Sequence, residues 1–326
     1  MQFSIVVPVY NVADYLEKCV DSILANDCSD SEILLIDDGS TDGKSGALCD
    51  TLAQKSPDLI RVIHQKNQGL GGARNTGIDL ARGDYLFFID SDDYIAPNSL
   101  AVLREAIAKT PADIYSFHAT VDDGQGHFHP FQTSKMYQGA FCLNEHPEFL
   151  FALPAAWARI WKRSLFLNTD IRYPSRVWYE DIRTSTKLFA AAQSIVTLPQ
   201  SLYFYLVRQG SITRNSNIER NREILDAFDD ILSWFDAQAL LKTYHDALEK
   251  LAIDHILLAG SVRIARIDPK SALLKQFADK MEQYFPNYRS NPYLPSLPKG
   301  KKLAYRLLEG KHYRLLSILF SLKDKV

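Results

Sequence analysis

Three carboxylates stand within four residues in Asp90-Ser91-Asp92-Asp93, directly after the apolar run 85–89. In extended chain Asp90 and Asp92, two apart, point the same way, and Asp93 between turns is left toward solvent. Such a pair suits a hard divalent cation, which needs one or two carboxylates and takes the rest of its shell from water and substrate phosphates. An isolated Asp-x-Asp is equally a solvated turn, because turns favour Asp and Ser. The surroundings decide between the two. Asp37-Asp38 follows the apolar run 33–36, and the loop Asn67-Gln68-Gly69-Leu70-Gly71-Gly72 follows the run 60–63. Glycines at a helix start permit close backbone approach, where phosphate is favoured, and Arg74 in the first turn of that helix is a cation placed for a diphosphate.

The elements that must position these groups alternate between strand and helix. The β-branched run 3–9 predicts a strand ending at Pro8-Val9-Tyr10-Asn11, with Asn11 as the cap of a helix whose stripe is Val12, Tyr15, Leu16, Cys19, Ile23 and Leu24. Residues 33–36, 60–63 and 85–89 read as further buried strands, 73–81 as a helix, and 114–117 as an extension of the sheet. Alternation with strands this short predicts an α/β fold with a doubly wound, mostly parallel sheet. Parallel strands end on one edge, so Tyr10, Asp37-Asp38, the Asn67 loop and Asp90-Ser91-Asp92 are expected to line one crevice. A dehydrogenase is excluded by the first turn, which lacks G-x-G-x-x-G, and no G-x-x-x-x-G-K-[ST] loop is present.

A chain of 326 residues leaves room for one large α/β domain and a smaller module. Its 46% hydrophobic and 23% charged content is that of a folded globular protein, and a net charge of -2 argues against a general nucleic-acid binder. Cys19, Cys28, Cys49 and Cys142 have no C-x-x-C spacing and read as reduced thiols of a cytosolic protein. The start of the chain lacks the pattern of a signal peptide, and no run reaches the roughly 18 apolar residues of a membrane span, so action on the cytoplasmic side is expected. His127, His129 and His146 lie in the Gly-, His- and Pro-rich stretch 122–147 and read as surface residues.

Val6-Val7-Pro8-Val9-Tyr10-Asn11, Ile36-Asp37-Asp38-Gly39-Ser40-Thr41-Asp42, Asn67-Gln68-Gly69, Ala73-Arg74-Asn75-Thr76-Gly77 and Phe88-Ile89-Asp90-Ser91-Asp92-Asp93 together closely resemble family 2 glycosyltransferases, enzymes of the GT-A fold. The likeness covers about the first 100 residues and continues more loosely to about 215. It implies transfer of a sugar from a nucleotide diphosphate donor, a UDP-hexose or UDP-N-acetylhexosamine in the first instance, with inversion at the anomeric carbon. By the same analogy the backbone around Pro8 and Tyr10 and the Asp38 carboxylate hold the base, and Arg74 faces the base or the diphosphate. Asp90 then binds the ribose, and Asp92, with Asp90, ligates the Mn²⁺ or Mg²⁺ that bridges the diphosphate. Asp37, Asn67, Gly69 and Ser91 complete the implied nucleotide-sugar site, although Asp37 and Asp42 read equally as turn acids.

Further along, Trp157-Ala158-Arg159-Ile160-Trp161 resembles the family's approach to the acceptor site, with Ala158-Arg159 where the family often has Asn-Lys. Trp157 is a candidate sugar platform or a core residue. Trp178-Tyr179-Glu180-Asp181 matches the family's Glu-Asp pair, whose second acid takes the acceptor's proton. An apolar helical face follows, so Asp181 falls near a helix amino end, where the dipole favours a carboxylate. Arg208, before Gln209-Gly210-Ser211-Ile212-Thr213, resembles the family's late loop cation and is expected to reach the diphosphate. The processive Gln-x-x-Arg-Trp motif is absent, so one sugar per encounter is expected, toward a glycan or lipid-linked glycan of a surface polysaccharide.

The expected organisation is a catalytic domain over 1–215, divided at 100 into nucleotide-sugar and acceptor/base regions. A helical module over 216–285, a Pro-rich linker over 286–298 and a basic amphipathic helix over 299–326 follow. In the last stretch cations alternate with Leu, Tyr and Phe. That pattern fits a helix on an anionic membrane surface, or one packed on its own domain or on a second subunit. Two other functions compete with glycosyl transfer: a non-catalytic nucleotide-sugar-binding partner of a synthase, and a sugar nucleotidyltransferase, which normally needs a glycine-rich, lysine-bearing first turn.

Overall fold

The run Phe3–Val9 (β1) is buried at every position, the consequence of pairing along both edges under a covered sheet. Its partners are β2 (Ser31–Asp37) and, on the other side, β4 (Tyr85–Phe88), with β3 (Ile60–His64) beyond β2, all in parallel. The crossovers are α1 (Ala13–Leu24), α2 (Ser45–Lys55) and α3 (Gly69–Leu80). The computed structural model describes residues 1–208 and 218–323. They fall into two units, Met1–Ser211 and Ile212–Val326. The loop 209–213 singled out in the sequence lies outside the described residues.

After β4 come β5 (Tyr94–Ile95), α4 (Ser99–Lys109), β6 (Ile114–Asp122), β7 (Phe128–Phe131), β8 (Ala140–Phe141), β9 (Arg159–Lys162), α5 (Ser164–Leu167), α6 (Glu180–Ala191) and β10 (Ile195–Leu206). The sheet runs β3-β2-β1-β4-β9-β6-β10-β5, with β7 on β6 and β8 on β10. This is the expected α/β architecture with a mostly parallel sheet, but β9 is antiparallel to both β4 and β6. Reversal has a use: the start of β9, next to Trp157, arrives at the edge where β1 to β4 finish.

Two glycines of α3 set how closely the site elements pack. A Cβ at Gly77 would come 2.3 Å from Val6 Cγ1, so α3 lies almost directly on β1. A Cβ at Gly71 would come 2.2 Å from the Pro174 carbonyl oxygen, so the segment 173–176 crosses the first turn of the helix. Asn75 clasps that segment, donating to the Tyr173 carbonyl at 2.7 Å and accepting from its N–H at 3.0 Å. The glycines therefore serve close packing of protein on protein at α3 rather than an open phosphate cradle. Asn11 also differs from expectation. It has φ 52° and leaves the capping position to Val12. Its side-chain oxygen accepts from the N–H groups of Thr41 and Asp42, because these lie within reach once β1 and β2 are paired.

The second unit contains α7 (Glu223–Ala237), α8 (His245–Ala252), a π-helical segment Ile253–Ser261, α9 (Val262–Ile267), α10 (Ala272–Tyr284), α11 (Lys299–Glu309) and α12 (Tyr313–Lys323). Its core draws on Ile224, Phe228, Ile231, Leu248, Leu251, Ile256, Phe277 and Met281. The stretch 286–298 is not a free linker. Tyr288, Asn291 and Leu297 are buried, and Asn291 donates to Glu249 Oε2 at 2.6 Å and to the Asp246 carbonyl at 2.8 Å. Its prolines shape short 3-10 turns that fold back on α8.

Gly71→Ala is expected to destabilise the chain by about 1–3 kcal/mol, since the obstructing atom is backbone. Gly300→Ala, in α11 with nothing within 4 Å of its Cβ position, is expected to be neutral or mildly stabilising. Denaturant midpoints of the two variants check this.

Candidate active site

Sequence distance collapses at Arg74. Its guanidinium is 1% exposed and bonds Asp90 Oδ1 at 3.0 Å, Glu180 Oε1 at 3.2 Å and Asp181 Oδ1 at 2.5 Å. Burial alone would disfavour the charged guanidinium, but Asp181, Asp90 and Glu180 outweigh it and raise the pKa of Arg74 further. The expectation that Arg74 faces a base or diphosphate differs from this geometry: α3 aims it inward, between the end of β4 and the start of α6. Asp181 is held at both oxygens, the second accepting from the Ala156 N–H at 3.3 Å. That contact depends on the reversed β9, which brings 156 to this edge. Tyr179, with φ 64°, turns the chain into α6 so that Glu180 and Asp181 occupy its first turn. Burial and the neighbouring Asp181 charge raise Glu180 well above the ordinary carboxylate range, against the pull of Arg74. Asp90 is likewise pushed up to about 6 by burial, against Arg74 and with the help of Asp92 and Asp181.

The acids of the opening motif do not lie in extended chain. Asp93 N–H donates to the Asp90 carbonyl at 2.9 Å, which closes a turn. Asp93 is 2% exposed, not solvent-facing. Its carboxylate accepts from Tyr203 Oη at 2.7 Å and from the Leu206 N–H at 2.8 Å, while the Asp90 N–H donates to the same Tyr203 oxygen at 3.1 Å. Tyr203 thus fixes the turn at two points. Sequence reasoning missed both Tyr203 and the inward role of Asp93, since the pair is 110 residues apart.

With Asp93 turned inward, Asp90 and Asp92 remain for a ligand. Asp92 Oδ2 accepts from Arg208 Nε at 2.5 Å, and the Arg208 guanidinium also lies over the Tyr15 ring, 5.1 Å from its centroid. Among the described residues no group of three or more His, Cys, Asp or Glu could hold a metal ion without help. Each of the two carboxylates already meets an arginine, Asp90 at Arg74 and Asp92 at Arg208, and the pair nevertheless fits a divalent ion that takes its remaining ligands from phosphate and water.

The other expected residues spread along the same edge. Asp38, 3% exposed, accepts from Gln65 Nε2 and the Gln68 N–H at 2.7 Å and from the Gly69 N–H at 2.8 Å. It ties the Asn67 loop to the end of β2. Asn67, Lys66, Gln68, Ser175 and Arg176 line a cavity of about 380 Å³, and none of these belongs to the Arg74 cluster. Tyr10 is 49% exposed just past β1, Pro8 is buried within the strand, and Ser91 is 8% exposed within the acid turn. Trp157 is not available as a sugar platform. It is 5% exposed and stacks on Tyr203 at 4.4 Å between ring centroids, because the short turn before β9 sets its ring into an aromatic layer with Tyr203, Tyr205 and Phe131.

Acids from two segments and one buried arginine thus meet at the edge where the parallel strands end. The profile of glycosyl transferase family 2 matches residues 4–161. Glycosyltransferase GlyG of Streptococcus pneumoniae is 30% identical over 276 residues, covering 76% of this chain and 88% of the relative. Glycosyltransferase GlyA of the same organism is 35% identical over 225 residues, or 65% of this chain. The match spans only 32% of GlyA, about a third of its length. Among solved structures, S. aureus TarS 1–349 in complex with UDP-GlcNAc superposes with TM-score 0.65 at 18% identity, covering 99% of this chain and 92% of that one. The mannosyltransferase PcManGT from Pyrobaculum calidifontis, in complex with GDP-Man and Mn²⁺, gives 0.57 at 18% identity, covering 100% and 88%. At these identities the structures speak to the fold. The chain belongs to glycosyltransferase family 2 and is a transferase.

Asp37 carries a pH dependence of its own. One oxygen accepts from the Ser40 N–H at 3.0 Å, and the other bonds His64 Nδ1 at 2.8 Å, while His64 Nε2 meets Asp50 at 3.0 Å. Bonds to Asp37 and Asp50 raise His64 above its ordinary value, and burial of Asp37 is outweighed by Ser40 and His64, which hold that carboxyl below its own. The His64 contribution is therefore complete below about pH 6.5 and is lost as pH rises through its elevated folded value. The Asp37 contribution is present above the ordinary carboxylate range and is lost on acidification. His64→Gln is expected to lower stability by about 0.5–1 kcal/mol near pH 6, modest because the ring is half exposed, and by less at pH 9. Thermal melts of both proteins across that range check the sign.

Proposed function

We propose that the chain is an inverting glycosyltransferase that moves one sugar from a nucleoside diphosphate donor, a UDP-hexose or UDP-N-acetylhexosamine, to a hydroxyl of a glycan or lipid-linked glycan in surface polysaccharide synthesis. The observation that carries this reading is the bonding of Asp90, Glu180 and Asp181 to the one guanidinium of Arg74. A residue at the end of the donor motifs and a pair from a segment 90 residues later are thereby held to one cation.

In this reading Asp181 is the general base. It accepts the proton of the acceptor hydroxyl as that oxygen bonds the anomeric carbon, and the bond from that carbon to the diphosphate breaks on the opposite side. Arg74 is a positioning residue: its short bond to Asp181, with the Ala156 N–H on the other oxygen, fixes where the carboxylate points. Glu180, raised by burial and by Asp181, takes up a proton more readily than an ordinary carboxylate, which relieves negative charge around the guanidinium. Asp92 and Asp90 would hold Mg²⁺ or Mn²⁺, and such an ion supplies neutralisation of the departing diphosphate. Arg208, in contact with Asp92, is the protein's own cation toward the same leaving group. Tyr10, Pro8, Asp37, Asp38, Asn67, Gly69 and Ser91 form the nucleotide side of the reading. Asp38 contributes by anchoring the Asn67 loop.

The experiment is a donor-hydrolysis and nucleotide-binding screen over UDP- and GDP-sugars, with and without divalent ions, followed by variants. Asp181→Asn is expected to leave donor affinity unchanged while transfer falls by about 10²–10⁴-fold. Normal turnover with weakened donor binding would overturn its role as base. Asp92→Ala is expected to abolish metal-dependent nucleotide binding, and retention of full activity would remove the metal assignment.

Arg74→Lys keeps the charge but replaces the planar five-donor guanidinium by a single nitrogen that cannot hold the carboxylates in the same fixed directions. It is expected to lower kcat more than it raises the donor KM, and equal changes in the two would contradict a positioning role.

A further inference from the structure

The last two helices present an unusual outer face. On α11, Ala304, Leu307 and Leu308 are buried, while Leu303, one turn before Leu307 at the border of that face, is 51% exposed. On α12, Leu316 is buried, but Leu315, Ile318 and Leu319 are 48%, 59% and 38% exposed. Positions 315, 318 and 319 repeat at helical spacing, so they form one aliphatic stripe turned away from the core. Scattered exposed leucines need no explanation, but a contiguous stripe does.

The charge around the stripe is as one-sided as the stripe is apolar. Residues 299–320 carry Lys299, Lys301, Lys302, Arg306, Lys311 and Arg314 against the single acid Glu309, in a chain whose net charge is -2. Glu309 is occupied by Arg289 and Tyr288, and Lys301 reaches Asp254 at 3.6 Å. Among the described residues the other five cations have no carboxylate within ion-pair distance. A second copy of this face would meet it with like charge, which disfavours self-association. A nucleic acid would use the cations but not the aliphatic stripe. Long basic side chains beside exposed Leu and Ile match a surface that is anionic at its outer layer and hydrocarbon just beneath.

We propose that the outer face of α12, with the cations of α11 and α12 beside it, docks on an anionic phospholipid bilayer, with Leu315, Ile318 and Leu319 entering the boundary between headgroups and acyl chains and the cations lying among the phosphates. The contact is peripheral, since among the described residues no helix is long and apolar enough to cross a membrane. The inference concerns the second unit alone and does not depend on the transfer chemistry.

The test is co-sedimentation of the full chain with vesicles of phosphatidylcholine alone or mixed with phosphatidylglycerol, across a salt series. Binding is expected only with phosphatidylglycerol present and should weaken as salt rises. The double variant Leu315→Ser with Ile318→Ser and the double variant Lys311→Glu with Arg314→Glu should each lower binding about tenfold or more. All four substitutions are at exposed positions, so melting temperature and UDP binding are expected to be unchanged, which separates failure of docking from failure of the transferase reading. Absence of binding to anionic vesicles overturns the proposal, as does equal binding by the variants. A dimer in solution that Leu315→Ser with Ile318→Ser dissociates would overturn it too, by making the face a subunit interface.

Discussion

The buried guanidinium of Arg74 keeps its charge because three acids meet it. Much else in the first unit follows from that requirement. Arg74 must leave α3 pointing inward, which needs the helix to lie close on β1, as Gly77 allows against Val6. The acids must come from β4 on one side and α6 on the other, which needs a reversed strand to bring the later segment back to the edge. Removal of the guanidinium would leave three carboxylates crowded in a poorly solvated space.

The balance within the cluster is deliberately negative, with three carboxylates against one cation. Glu180 and Asp90 respond by binding protons more tightly than ordinary acids. Asp92, next along, is already matched to Arg208. Net negative charge at the cluster is thus bordered by a cation, Arg208, on the side of the acid turn.

Much of the fold was legible in the sequence because buried parallel strands are short apolar runs with polar ends, and those of β1, β2, β3 and β4 were intact. The edge they share follows from parallel order alone. What the sequence concealed was direction and partnership. Nothing local marks β9 as antiparallel, or Asp93 as the acid that turns inward to Tyr203. Trp157 could be read as a sugar platform because an aromatic ring looks the same whether it faces a ligand or another ring. The glycines of 69–77 were visible as a cluster, but their purpose depended on the segment 173–176, about 100 residues away. The prolines of 286–298 signal a break in helix, which reads as a linker, whereas Asn291 anchors the stretch to Glu249.

The clasp between Arg74 and Asp181 spans 107 residues. During synthesis the strands β1 to β4 and the whole nucleotide side emerge well before α6 exists. Loop closure over such a span comes late in folding, after local strand and helix pairs have formed. The cation at the centre of the site therefore waits for its principal partner while Asp90 is its only nearby acid in the chain already made. The Arg74 cluster is therefore a long-range assembly, complete only when the helix carrying Glu180 and Asp181 meets the guanidinium.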